Sequence, residues 1–241
     1  MKKRFIAIML ALIFAMSLCA CGENSDPDVQ ETPEPSEIPT KVRIEDFYRS
    51  SGSYTDGVGN TGDYSYALPL ICGVDTDDAA AANSAIKDIF QNDIQPELDA
   101  MQEGVSLTTY NVSYEYVCFK GITSVLITVD LDYGSSLYYC FNFDEEGKTV
   151  SNSGLLELKG VSSADFLKTA GELLSESDQL KNIPDNASAE EQEVREKTLS
   201  AENCNMEMPM YLDASGKLCF VGRVYSLAGA DSYLYLFCTE I

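Results

Sequence analysis

Carboxylates are the most numerous side chains in this sequence that could take part in catalysis. A pair of them can supply the general acid and base of glycoside hydrolysis, provided that the two face each other across a cleft. Carboxylates that are close in sequence, at predicted turns and helix starts, are more typical of solvated caps, and we predict no catalytic residue among them. The three groups are Asp75, Asp77 and Asp78; Asp130 and Asp132; and Asp144, Glu145 and Glu146.

Two further observations argue against imidazole-dependent and metal-dependent chemistry. The sequence contains no histidine, which excludes triads with an imidazole base, zinc hydrolases with histidine ligands and deacetylase centres of the Asp-His-His kind. A calcium loop that began at Asp75 would need glycine at its sixth position and a carboxylate at its twelfth, where the chain has Ala80 and Ile86. We therefore predict no metal site and no cofactor.

Six cysteines follow Cys21, none with Cys-x-x-Cys spacing, and most lie among apolar residues, where cysteine packs as a small hydrophobe. If antiparallel strands flank the loop 226–231 with Tyr225 opposite Ser232, Cys219 lies opposite Cys238 and within disulfide range. We predict that this pair is close in space and consider a disulfide between them. The six are Cys72, Cys118, Cys140, Cys204, Cys219 and Cys238.

The first 20 residues have the pattern of a bacterial export signal. A basic stretch at residues 2–4 precedes an apolar run from Phe5 to Ala20, which is too short to span a bilayer. The sequence Leu18-Cys19-Ala20-Cys21 resembles the lipobox of bacterial lipoproteins. We predict cleavage after residue 20 and lipidation of Cys21, which would anchor the protein to the outer face of the cell membrane. An ordinary secretory signal is the alternative.

Residues 21–42 are predicted to be a disordered tether that follows the lipidated cysteine. Four prolines and six acidic residues lie between Gly22 and Lys41, with too little apolar surface to offset the entropy of ordering. The remaining chain, 43–241, is long enough for a single extracytoplasmic domain with a sizeable core.

The charge of the chain is strongly acidic. Without residues 1–20 it would have 13 basic and 39 acidic residues, a net charge of −26. Such a surface repels nucleic acid and attracts cationic partners, although acidic surfaces also serve simply to keep exported domains soluble. The polar segment 188–203 is our candidate for an acidic rim, with Glu190, Glu191, Glu193, Glu196 and Glu202.

Periodicity predicts an α+β fold in one domain. Alternating apolar residues indicate an antiparallel meander of three strands, two C-terminal strands and an earlier strand near 64–74, in which Pro69 marks an edge or a bulge. Helical spacing predicts two helices, with Pro96 kinking or ending the first, and Ser188 opens a third, polar segment with capping-box spacing. We expect these two or three helices to pack on the sheet. The remaining strands are 110–118, 125–131, 137–143, 218–225 and 232–238, and the two helices are 82–94 and 163–174.

Short motifs along these elements resemble a known family. They are Tyr66–Ile71, Asn83–Ile86, Val112–Tyr116, Ser124–Val129, Phe141–Asp144 with Gly147-Lys148, Leu155-Leu156, Met210–Asp213 with Gly216-Lys217, and Val224–Ala230. The family comprises Firmicutes extracytoplasmic domains of unknown function, found in the lysozyme-sensing anti-sigma factor of bacilli and beside a peptidoglycan deacetylase domain. The resemblance, over 64–238, implies a wall-facing binding or sensing module and contributes no catalytic residue.

Three functions remain open at this point. The first is a non-enzymatic surface module that binds a cationic extracellular protein or a wall fragment. The second is a hydrolase of wall polymers that uses carboxylates alone. The third is a solute-capturing lipoprotein, for which a domain of about 200 residues is short of the usual two-lobed design.

Overall fold

The structure, a computed structural model, describes residues 41–132, 134–184, 186–227 and 231–240. The predicted signal peptide (1–20), the predicted lipidation site Cys21 and the predicted tether as far as residue 40 lie outside these described residues. Val42, which we assigned to the tether, is only 3% exposed and packs in the core of the domain. The packed part of the chain therefore begins one residue before the predicted boundary.

Five strands form the larger sheet and follow one another across it in chain order. The first two form a long hairpin, and the last three form the predicted antiparallel meander. The second and third strands are parallel and pair at only two positions, Ser65 with Asn111 and Tyr66 with Val112, so the sheet is mixed. The strands are β1 (Arg43–Thr55), β2 (Thr61–Cys72), β3 (Thr109–Phe119), β4 (Ile122–Leu131) and β5 (Ser136–Phe143).

Local sequence explains two irregular points of this sheet. The hairpin between β3 and β4 turns on two residues with positive φ, Lys120 (49°) and Gly121 (81°), as the tight turns that match strand twist require. Of the predicted edge or bulge at Pro69, the structure has a bulge: Pro69 pairs with Asp46, Leu68 pairs with Tyr48, and the extra residue, Phe47, lies on β1. The bulge accommodates a residue that has no N–H to donate to a ladder.

One continuous helical segment covers a face of the larger sheet. It consists of α1 (Asp77–Ile89), a π-helical turn (Phe90–Ile94) and α2 (Gln95–Glu103). We predicted that Pro96 would either kink the helix or end it. The helical segment continues through Pro96 and therefore does not end there. The π turn lies directly before Pro96, where the missing N–H interrupts the regular hydrogen-bond ladder.

The C-terminal half contributes three helices and a second sheet in the order β6-β7-β8. Serine side chains cap each helix start, and Ser188 forms the predicted capping box with Glu191. This third helix is the polar segment that we predicted to open at Ser188, and most of its residues are exposed. These elements are α3 (Asn152–Lys159), α4 (Ser163–Ser175), α5 (Ala189–Leu199), β6 (Met210–Leu212), β7 (Leu218–Tyr225) and β8 (Ser232–Cys238).

Side-chain alternation places the two sheets face to face between two layers of helices. Val125 and Ile127 of β4 pack in the cluster that includes α1, whereas Leu126 between them packs with Cys219 of β7. On the opposite face of β7, Phe220 meets Phe166 of α4 with ring centroids 5.6 Å apart. Each sheet therefore buries one face on helices and part of the other on its neighbour.

The architecture is a single α+β domain, as predicted, with helices on both sides of the paired sheets. β1 and β6 are strands that the sequence pattern did not predict. Among the helices of the described residues, none combines the length and the apolar character needed to cross a bilayer.

Candidate functional site

A groove of about 550 Å³ lies where the start of α1, the end of β5 and the chain before β6 meet. It is larger than the hollow of about 400 Å³ beside the start of β1. Grooves of this size accommodate small ligands or a few residues of a peptide. We therefore consider it the candidate binding site.

One wall of the groove is the first two turns of α1. Thr76 caps the helix and also donates its hydroxyl proton to Gly147 O, at 2.7 Å, while Asp78 Oδ2 accepts from Thr149 N at 2.7 Å. These bonds fix the helix start to the turn that follows β5. Ala81 and Ala85 continue this wall, and their short side chains leave the groove open along the helix.

The second wall is the extended segment that leads into β6. Asn152, at the start of α3, donates to Met206 O at 2.7 Å and to Met208 O at 2.9 Å. Asn142 of β5 donates to Met210 O at 2.8 Å. The backbone of this wall is therefore fixed by two amide side chains, and it carries the exposed Glu207 beside the groove.

The floor is the outer edge of β5 between these two walls. Near its end, Asn142 O accepts from Val150 N at 2.8 Å, and Thr149 forms a one-residue bridge to Phe143. Further back along β5, the groove is lined by Cys140 and Phe141. The chain thus closes one end of the floor and leaves the rest open.

The electrostatic character of the groove is acidic. Its lining contains Asp78 and Glu207 and, in the region that the structure describes, no lysine or arginine. A smaller hollow of about 280 Å³ adjoins it across Glu207, where Glu202 and Arg223 contribute one charge of each sign. An anionic ligand would meet uncompensated repulsion in the main groove, whereas a cationic one would be attracted.

Two of the sequence-adjacent carboxylates, Asp144 and Asp130, hold local structure. Asp144 Oδ1 accepts from the amides of Glu146 and Lys148, both at 2.9 Å, and so holds the turn after β5. Asp130 accepts from Asn111 and Ser136 on the two flanking strands. Only Asp78 of the three groups lines the groove, and Glu207, its counterpart on the opposite wall, was not among our candidates.

The acidic rim predicted at 188–203 is partly engaged within its own helix. Glu191 accepts from the backbone and hydroxyl of Ser188, which lowers the pKa of its carboxyl. Glu193 pairs with Lys197 at 2.8 Å, one turn along α5. Glu202 is the member of this set that lies nearest the candidate site, at the adjoining hollow.

Two other carboxylates are buried outside the groove, and neighbouring donors account for both. Asp56 accepts from the Ser106 hydroxyl and from the side chain and amide of Asn60, and these hydrogen bonds lower the pKa of Asp56 to about 2. Glu97 accepts from the hydroxyl and amide of Thr108 and from the amide of Thr109. Both groups fix loops rather than face a cleft.

Cys219 and Cys238 are joined by a disulfide, with their Cα atoms 4.0 Å apart. The pairing of β7 with β8 has the register described above, with Tyr225 opposite Ser232. Asp213 lies close to both sulfurs, but bonded sulfurs offer no thiolate to a metal ion. Burial raises the pKa of the Cys140 thiol to about 12, so this groove-lining cysteine stays protonated and is a poor nucleophile at neutral pH.

A second groove, of about 400 Å³, lies between the start of β1, the end of β3 and the start of β4. It combines Arg43 with Glu45, and the buried hydroxyl of Thr123 has no hydrogen-bond partner there within the described residues. Its charges compensate each other, in contrast to the acidic groove beside β5.

Neither protein-family models nor curated proteins provide a significant match to this sequence. The resemblance to the wall-facing family therefore remains a prediction.

Proposed function

We propose that this protein is a lipid-anchored surface module without enzymatic activity, which binds a cationic protein outside the cell. The proposal takes Cys21 as the anchor and the groove between α1 and β5 as the binding site. The observation that carries it is the charge of that groove, where Asp78 and Glu207 line opposite walls and no cation of the described lining compensates them.

The physical chemistry of the groove favours a basic protein segment over the other ligand classes. Its apolar surface, provided by Ala81, Ala85, Phe141 and Pro209, suits aliphatic stems, and lysine and arginine carry a long apolar stem below their charge. The net charge of −23 for the whole chain adds long-range attraction, which accelerates association and makes it sensitive to salt.

The test is a pull-down with the full chain, produced in a bacterial membrane and solubilised in detergent. A lysozyme serves as the basic protein, and cytochrome c serves as a basic control of unrelated surface. We expect retention of the lysozyme beyond the control at low salt, and less retention at high salt. Equal retention of both basic proteins, or cleavage of solubilised wall polymer by the chain, would contradict the proposal.

A matched pair of double variants localises the binding. Asp78→Asn with Glu207→Gln removes both groove charges, and Asp77→Asn with Glu196→Gln removes two exposed carboxylates outside the groove lining. The net charge changes equally in both. We expect only the groove variant to lose retention of the lysozyme, whereas an equal loss in both would indicate non-specific attraction.

A further inference from the structure

The outer edge of β5 presents backbone groups that have no hydrogen-bond partner among the described residues. Asn142 O accepts from Val150 N, and Asp144 N donates to Lys148 O, so even-numbered positions here point away from β4. Because strand geometry alternates with a period of two, the N–H and C=O groups of Tyr138 and Cys140 also point outward. β5 has no strand neighbour on this side among the described residues.

The chain itself begins to occupy this edge and then leaves it. Thr149 bridges antiparallel to Phe143, which places it where a sixth strand of the sheet would run. After one residue the chain turns away, and Ser151 caps α3. The groove continues the line of that missing strand, with Cys140 and Phe141 in its lining.

The two walls lie on opposite faces of the sheet. α1 packs on the face that carries Phe143, whereas the segment before β6 is held by Asn142, whose side chain points to the other face. Asp78 and Glu207 therefore lie on opposite sides of any strand added at this edge. Successive side chains of an extended peptide also point to opposite sides.

We propose that the groove binds an extended peptide segment as an additional strand on β5, with two consecutive basic residues directed at Asp78 and Glu207. This inference rests on the proposed function and specifies its mode of recognition. Main-chain hydrogen bonds to Tyr138 and Cys140 would supply affinity independent of sequence, and the two carboxylates would supply selectivity. Charge complementarity identifies the occupant, because the described lining offers negative charge only.

The first experiment uses a hexapeptide with free backbone amides and two methylated analogues. The probe is acetyl-Thr-Val-Lys-Lys-Val-Thr-amide, and each analogue carries N-methyl groups at alternate residues, in one of the two possible phases. Calorimetry with the full chain in detergent should show binding of the probe. The affinity should be at least tenfold lower for one of the two methylated analogues and unchanged for the other. Equal binding of all three peptides would overturn strand addition and leave the proposed function standing.

Side-chain charge is tested on both partners. Asp78→Asn and Glu207→Gln should each weaken binding of the probe about two- to fivefold, the range expected of partly exposed ion pairs. Asp77→Asn, on the same helix turn but outside the groove lining, should leave the affinity unchanged. If the lysozyme is retained while the probe does not bind, this inference fails alone. If neither binds, the proposed function fails as well.

The backbone edge is tested with proline, which lacks the N–H group. Cys140→Pro removes an outward donor without breaking the ladder to β4, and edge positions tolerate proline. Tyr116→Pro is the control, because Tyr116 lies on β3 beside the other groove. We expect Cys140→Pro to reduce probe binding at least fivefold and Tyr116→Pro to leave it intact; equal effects would contradict the assignment.

Hydrogen exchange on the unmodified chain provides a readout that does not depend on any variant folding. Bound probe should slow exchange of the Tyr138 and Cys140 amides severalfold and leave the Tyr116 and Cys118 amides unchanged. Protection confined to β3, or none at β5 under saturating probe, would overturn the proposal.

Discussion

Replacement of Asn142 by alanine should remove one of the polar links between the two sheets. Asn142 is 6% exposed, accepts from the Ser124 hydroxyl at 2.6 Å and donates to Met210 O at 2.8 Å. The Ser124 oxygen in turn accepts from Leu212 N at 3.2 Å. Alanine would leave the Ser124 hydroxyl and Met210 O without their partner in a buried place.

The magnitude follows from those two groups. A buried polar group that loses its partner costs about 1–3 kcal/mol, and the Ser124 hydroxyl can partly compensate by rotating. We therefore expect Asn142→Ala to lower the free energy of unfolding by about 2–4 kcal/mol. Asn111→Ala is the matched control, because Asn111 is also a strand asparagine but donates to Asp130 at a partly exposed site; its expected cost is below about 1 kcal/mol.

The assay is urea unfolding of the full chain with the disulfide intact. Equal losses for Asn142→Ala and Asn111→Ala, or a loss below about 1 kcal/mol for the former, would refute the reasoning. Asn142→Asp tests the direction in which stability should change with pH. Its new oxygen would face Met210 O, so the carboxyl must stay protonated to donate, and its pKa in the folded state would be raised. The variant should be most stable at acidic pH and lose stability as the pH rises through that pKa.

Three further predictions concern the anchor, a lowered pKa and the disulfide. Cys21→Ala should release the protein from the membrane fraction, whereas Cys19→Ala should not; retention of the former would refute lipidation at Cys21. The pKa of Asp56 is about 2 in the folded state, so its stabilisation is present above about pH 4 and is lost as the pH falls toward 2. Asp56→Asn should reduce the loss of stability at acidic pH, measured by urea unfolding. An unchanged pH dependence would contradict the lowered pKa of Asp56. Reduction of Cys219–Cys238, 19 residues apart, should cost about 3 kcal/mol of stability, and an unchanged unfolding midpoint under reductant would oppose that view.

The sequence revealed those strands in which apolar residues recur at every second position. β3, β4 and β5 belong to this class. The short loop between β7 and β8 allowed the pairing register of those two strands to be predicted. β1 escaped prediction because its pattern is largely polar and most of its residues are exposed or half-buried. β6 escaped because three residues are too few to show a period.

The candidate site could not be predicted for a different reason. It depends on contacts between residues far apart in sequence, such as Asp78 with Thr149 and Asn142 with Met210. Periodicity assigns each of these to an element but does not bring the elements together. The short pairing of β2 with β3 is equally non-local, and for this reason the mixed character of the sheet was also missed.

The arrangement of charge distinguishes a binding site from a surface that is merely acidic. Solubility explains a high net charge, but it does not explain where the few cations lie. Elsewhere six of the described lysines and arginines pair with acids, among them Arg49 with Asp46, Lys197 with Glu193 and Lys217 with Glu240. Asp78 and Glu207 have no ion-pair partner among the described residues, although they line opposite walls of the candidate groove. Carboxylates left in this way beside an open strand edge favour a partner that brings its own cations.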